Sequence, residues 1–160
     1  VQVGTLGARF HLLDVARLTR RVACVPTGTP LAEALRQAEE QRGWGVVVVD
    51  SKGSPVALMH GSAAASVPAE RRPWVDVNDV SRSLSDAETW DPGWRGEEVV
   101  DAMRRRPADE YAVAADGHVL GIVRAADIAE VLDPRKQPPD AGDDVDPRST
   151  QTEDRREDTP

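Results

Sequence analysis

"GVVVVDSKGSPVALMH", Gly45 to His60, is a short apolar run, a polar turn and a second apolar run. The chain writes the phrase again as "YAVAADGHVLGIVR", Tyr111 to Arg124. Val46 to Val49 is β-branched throughout and too short for a helix, which predicts a buried strand. "DSKGSP" turns the chain, and Val56 to Met59 returns it. In the second copy Tyr111 to Ala114 runs out. Asp116-Gly117 then supplies the residue pair that a tight hairpin favours, and Val119 to Val123 comes back.

Outward from the hairpins, the flanks also repeat. Ahead of the first lies "TPLAEALRQAEEQRG", in which Leu31, Ala34, Leu35 and Ala38 fall on one helical face. Thr29 is the expected N-cap, Pro30 the first helical residue and Gly43 the stop. Ahead of the second lies "RGEEVVDAMRRRP", with Val99, Val100 and Met103 as a shorter apolar face. Its acids stand at the positive helix end and its arginines at the negative end. Short strands are expected around Val25 and Trp90, and "DVARL" from Asp14 and "DVSRS" from Asp79 open the copies. A short helix follows each hairpin, "SAAASV" and then "AADIAEVL". The predicted class is α/β of the α+β kind: two repeats related by a pseudo-twofold axis, each a three-stranded mixed sheet with flanking helices. The expected divisions are a connector over 1–11, a first repeat over 12–78, a second over 79–134 and a disordered acidic tail over 135–160. A unit of about 60 residues makes a marginal core alone, so each copy covers the other's sheet.

Composition bounds the function. The 160 residues carry a formal charge of −8, which argues against nucleic acid or an anionic membrane as the main partner. Aromatic residues make up only 4%, so Val, Leu and Ala must build the core. The single cysteine, Cys24, has no internal disulfide partner, and its place in "VACV" predicts a buried strand residue. That suits a reducing compartment. No apolar stretch approaches the length of a membrane span, so a cytoplasmic chain is expected. An opening Val suggests a piece of a longer protein.

The element order, the repeated hairpin and above all "GIVRAADIAEVL" resemble the cystathionine-β-synthase (CBS) domain. Such domains close with Gly, two apolar residues, Ser or Thr, two variable residues and Asp, matched here by Gly121 to Asp127 with Arg124 at the hydroxyl position. In the first copy Ala57 to Ala63 stands there, with His60 for the hydroxyl and Ala63 for the acid. The stretch "VPAERRPWVDVNDVSRSL" and the Trp- and Gly-bearing segment after it resemble, more narrowly, the C-terminal CBS pair of actinobacterial site-2 intramembrane zinc proteases. That resemblance implies a cytosolic accessory region and a membrane-embedded protease domain in the same polypeptide.

A CBS pair implies a regulatory module binding an adenosine-type ligand: ATP, ADP, AMP or S-adenosylmethionine. Residue by residue, Asp127 falls at the ribose position, where a carboxylate accepts two hydrogen bonds from a cis-diol. It reads equally as a first-turn acid of the last helix. Arg124 is a phosphate contact or a solvent-facing charge. Tyr111 and Ala112 lie where adenine packs in the family, or are plain core. The Trp residues 44, 74, 90 and 94 are packing residues or a contact surface, and CBS pairs often form homodimers. The rival reading is a scaffold that has lost its ligand and only dimerises or docks. No catalytic set is present: His11, His60 and His118 lack metal-ligand spacing, and pairs such as Asp109-Glu110 read as solvated charge, so no enzyme is expected.

Overall fold

The computed structural model describes residues 9–85 and 88–133. The proposed tail over 135–160 and most of the connector over 1–11 lie outside those residues. No helix among the described residues is long and apolar enough to cross a membrane.

The first half builds from α1 (Val15–Leu18), β1 (Ala23–Pro26), α2 (Leu31–Glu40), β2 (Val46–Val49), β3 (Pro55–Met59) and α3 (Gly61–Ala65). Two 3-10 turns, Ala69–Trp74 and Val77–Val80, lead to β4 (Ser81–Ser83), α4 (Glu97–Arg105), β5 (Glu110–Ala115), β6 (His118–Arg124) and α5 (Ala125–Leu132). β1 runs parallel to β2 because α2 crosses between them, and β2 and β3 form the expected antiparallel hairpin. β5 and β6 form the second hairpin, whose Asp116 and Gly117 both take positive φ. In the first turn Asp50 Oδ1 accepts from the N–H groups of Lys52 and Ser54.

The sheets differ from two sets of three strands. One has four strands in the order β1-β2-β3-β4, and the other has only β5 and β6. Single bridges complete the second sheet: Trp90 beside Val113 in parallel, and Arg20 beside Ile122 antiparallel. Trp90 cannot extend into a strand, because Asp91 turns the chain onto the Gly93 N–H and Pro92 offers no donor.

The fourth strand shows how the halves are joined. β4 leads into the second half, yet it pairs with β3 of the first. Arg20 leads into the first half and pairs with β6 of the second. The backbone bonds are reciprocal. Val77 donates to Thr29 and Leu31 to Val75, while Val15 donates to Trp94 and Gly96 to Leu13. Such exchange is what a twofold relation between halves requires. It also corrects the alignment of the copies, since the partner of Asp14 is Asp76, three residues before Asp79. Asp14 and Asp76 each cap a short helix, and Thr19 and Ser81 each donate a hydroxyl to the carbonyl of Val15 or Val77. No full helix opens the second copy.

The cores follow the exchange. Val77 and Val80 pack with Val25, Leu31, Val46 and Met59 of the first half. Leu13 and Val15 pack with Trp90, Val99, Tyr111 and Val123 of the second. Val22, Val47, Leu58 and Ile122 form the seam between the sheets. Gly121 permits that seam. It holds φ near +157°, and a Cβ there would lie 2.2 Å from the Arg20 carbonyl.

Three local expectations are corrected. Cys24 is exposed, because β1 is an edge strand with one covered face: Ala23 and Val25 point in, Cys24 out. Thr29 does not cap α2, since its hydroxyl donates to the Pro26 carbonyl and Pro30 occupies the cap position. Arg42, not Gly43, takes the left-handed position after α2. Gly43 instead keeps space, since a Cβ there would lie 3.1 Å from the Ala23 nitrogen and 3.2 Å from the Val22 backbone.

Candidate functional site

Two clefts lie along the seam, one at the start of each closing helix. The exchange places in each cleft a hairpin end from one half and an arginine leading into the other. Arg20 and Arg82 occupy equivalent places, opposite Ile122 and Leu58. Arg124 and His60 are likewise equivalent, each directly before the closing helix.

The cleft at Asp127 is filled by its own side chains. Arg20 grips the carboxylate with two bonds, Nε to Oδ2 at 2.5 Å and Nη2 to Oδ1 at 3.1 Å. Asp127 is 8% exposed, the one buried charged residue among those described. The Arg20 guanidinium also lies 3.8 Å from the centre of the Trp44 ring, and that of Arg124 lies 5.2 Å from it. The hydrogen bond from Arg20, aided by the positive charge of Arg124, holds the Asp127 carboxyl below the usual carboxylate range despite its burial. Asp127 is therefore more than a first-turn acid: it ties the lead-in of one half to the last helix of the other. A diol ligand would have to share or displace Arg20. Behind the pair a shallow depression of about 410 Å³ opens between Arg17, Thr19 and Glu130.

The opposite cleft is open. Its cavity measures about 400 Å³ and is bounded by His60, Ser62, Arg82, Pro107, Asp109 and Glu110. Ala63 stands where the other cleft has Asp127, so Arg82 turns away. It binds Glu88 at 3.1 Å and donates to the Glu110 carbonyl. His60 is the cap of α3: its Nδ1 faces the Ala63 N–H at 3.4 Å and the Ser62 hydroxyl at 2.9 Å. Asp109, just before β5, and Glu110, its first residue, take the places of Trp44 and Gly45, which precede the equivalent strand β2. Burial, helped by the neighbouring Asp109, pushes the Glu110 carboxyl above its ordinary value, against the pull of Arg124.

Of the four residues singled out from the sequence, Arg124 and Asp127 share the Asp127 cleft. Tyr111 is buried in the core of the second half, and Ala112 beside it is fully buried. Tyr111 stacks on Trp90 with ring centres 4.2 Å apart. Its hydroxyl donates to the Arg106 carbonyl and accepts from the Ala108 N–H. Ala112 gives its carbonyl to the Trp90 N–H. Trp94 packs on Trp90, whereas Trp74 is 87% exposed. Sequence reasoning missed Arg20, Arg82 and Glu110. Aligning the two lead-ins on "DV" at Asp14 and Asp76 brings "TR" over "SR" and singles out both arginines. Among the described residues, no three His, Cys, Asp or Glu side chains come together as a metal site.

Comparison with known proteins agrees with this architecture. The CBS domain family matches residues 14–59, the half whose closing acid is missing. No curated protein matches. Among solved structures, the CBS domain of a CBS domain-containing membrane protein from Sphaerobacter thermophilus superposes with a TM-score of 0.63 at 19% identity, over 81% of this chain and 94% of that one. The CBS domain of the bacterial CNNM/CorC family Mg2+ transporter gives a TM-score of 0.61 at 15% identity, over 82% and 81%. A CBS domain-containing protein from Kribbella flavida gives 0.58 at 20%, over 75% and 97%. The chain spans 59% of the length of a further matched structure, protein MJ1004 from Mathanocaldococcus jannaschii. These identities speak for the fold. With the exchanged halves, the seam and the family match in view, the chain carries a CBS domain at residues 14–59 in a fold that most of its length shares with CBS-domain structures.

Proposed function

We propose that this chain is a regulatory module that binds an adenine nucleotide or a related ligand between its two halves. Binding there is passed to an attached membrane protein, an intramembrane protease being the partner suggested by the sequence. The observation that carries the reading is the asymmetry of the two clefts. One is occupied by the Arg20–Asp127 pair, and the other offers an open cavity of about 400 Å³, within the range of small-molecule sites. In the open cleft the Arg82 guanidinium and His60 suit a phosphate, and the half-buried Glu110 suits hydroxyl hydrogens of a ribose. The names of the structural relatives, one a membrane protein and one a transporter, add support for a membrane-bound partner.

Calorimetry and thermal unfolding with ATP, ADP, AMP and S-adenosylmethionine test the reading. A ligand at one hundred times its dissociation constant adds about 2.7 kcal/mol of stability. Glu110→Gln and Arg82→Gln should weaken that effect, and Asp127→Ala should not. If binding appears only in Arg20→Ala and is lost again with Asp127→Ala, the ligand belongs to the Asp127 cleft, with Arg20 as its gate. No response to any of the four removes the sensing role.

A second reading has its own observation. The Arg20–Asp127 clamp and the loss of the acid at Ala63 suit a scaffold that no longer takes a ligand, and serves as a homodimer or docking module. A dimer in sedimentation experiments, unchanged by any nucleotide, would favour it.

A further inference from the structure

A third cavity, of about 360 Å³, adjoins the open cleft, sharing Arg82, Pro107 and Ala108 with it, and extends between α4 and the loop that leads into β5. Its wall is unusual for this chain. The protein has only six aromatic residues, four Trp, one Tyr and one Phe, and three of them, Trp90, Trp94 and Tyr111, line this chamber. Trp90 and Tyr111 lie nearly parallel, at 19°, and Trp94 tilts over Trp90 at 6.0 Å. The stacked pair is buried, but Trp94 is partly exposed and offers its indole to the cavity.

The charge of the chamber opposes that of the chain. Arg82, Arg105 and Arg106 border it and Glu88 is its one acid among the described residues, in a protein whose formal charge is −8. Glu88 is shared, one carboxylate oxygen to Arg82 at 3.1 Å and the other to Arg106 at 2.9 Å. Arg105 has no carboxylate partner among the described residues; its Nε only faces the Asp101 carbonyl at 3.4 Å. A guanidinium beside indole faces recognises a flat anion, through charge at its rim and stacking on its plane. The volume suits one or two rings.

We propose that this chamber is a binding site for a planar aromatic carboxylate, beside the open cleft and held by residues that do not line it. Trp94 supplies the stacking face and Arg105 the carboxylate contact. Indole-3-acetate serves as the probe, titrated by calorimetry into the full chain, with neutral 3-methylindole and non-aromatic cyclohexanecarboxylate as controls. The expected result is one binding event per chain, weakened about tenfold in Arg105→Gln, as for the loss of one charge-assisted contact. Both controls should bind at least about tenfold more weakly, and Trp94→Ala should lose a similar factor. Because Trp94 packs on Trp90, that variant is first checked for folding; Arg105 is exposed, so Arg105→Gln carries the test alone if Trp94→Ala unfolds. Ser62→Ala, in the open cleft, should leave binding of the probe unchanged. Absence of heat at millimolar probe, binding indifferent to Arg105→Gln, or binding abolished by Ser62→Ala would each overturn the proposal. Trp94 and Arg105 line the chamber and not the open cleft, and the probe is titrated without nucleotide, so failure here is read separately from failure of nucleotide binding.

Discussion

The two clefts begin with the same arginine and end differently. Arg20 and Arg82 each enter from the lead-in of the opposite half, beside an equivalent strand residue. One meets Asp127 and locks; the other meets Ala63 and swings to Glu88. A single carboxylate thus decides whether a cleft is a structural joint or an open cavity. The residues opposite reinforce the choice. Trp44 stacks over the locked arginine, whereas Asp109 and Glu110 leave room and negative charge on the open side.

The comparison can be broken most severely at Gly121. Its counterpart is Ala57, which tolerates a methyl group; Gly121 does not, because the Arg20 carbonyl is in the way. Gly121→Ala should cost about 3 kcal/mol or more, from strain and overpacking together. Ala57→Gly should cost only about 1 kcal/mol. Denaturant unfolding of both variants measures the difference, and equal losses would contradict the asymmetry of the seam.

Next in size is the clamp. Asp127→Ala leaves Arg20 without its partner and should cost about 2 kcal/mol. The reverse exchange, Ala63→Asp, should draw Arg82 across the open cleft, gain about 0.5 kcal/mol and shrink the cavity. A crystal structure of Ala63→Asp with Arg82 still on Glu88 would show that more than one carboxylate sets the two states apart.

The smallest effect is in pH dependence, where the clefts should have opposite signs. Asp127 has a depressed pKa, so its contribution is present above the ordinary carboxylate range and is lost as pH falls through the depressed value. Glu110 has a raised pKa, so the fold holds its proton more tightly than the unfolded chain does. Its ionisation costs stability at neutral pH, and the cost disappears as pH falls through the raised value. Asp127→Asn should therefore flatten the acid loss of stability. Glu110→Gln should stabilise slightly at neutral pH, with no gain at low pH. Unfolding curves from pH 3 to 8 resolve the two slopes, and slopes of the same sign would contradict the assignment.

What the sequence made legible was local. The hairpins, the apolar face of Leu31 and Ala34 and the Asp116-Gly117 turn are written in neighbouring residues, and they stand where expected. The lead-ins were harder. Ahead of the second hairpin "DV" occurs at Asp14, Asp76 and Asp79, and only the cap bonds and the Thr19 and Ser81 hydroxyls distinguish the true pair. Cys24 misled because "VACV" reads as a run, while an edge strand covered on one face alternates. Asp127 was visible as a charged residue in an apolar helix. Its partner lies 107 residues away, a separation at which no local pattern operates.

The exchange of lead-ins also bears on how the chain can be made and cut. Leu13 and Val15 are buried in a cluster whose other buried members run from Trp90 onward, so during synthesis they must wait until most of the protein has left the ribosome. A fragment ending near residue 78 would keep them bare and would lack β4, the strand that closes its own sheet. Neither half is a portable cassette: swapping or truncating one removes an interior wall from the other.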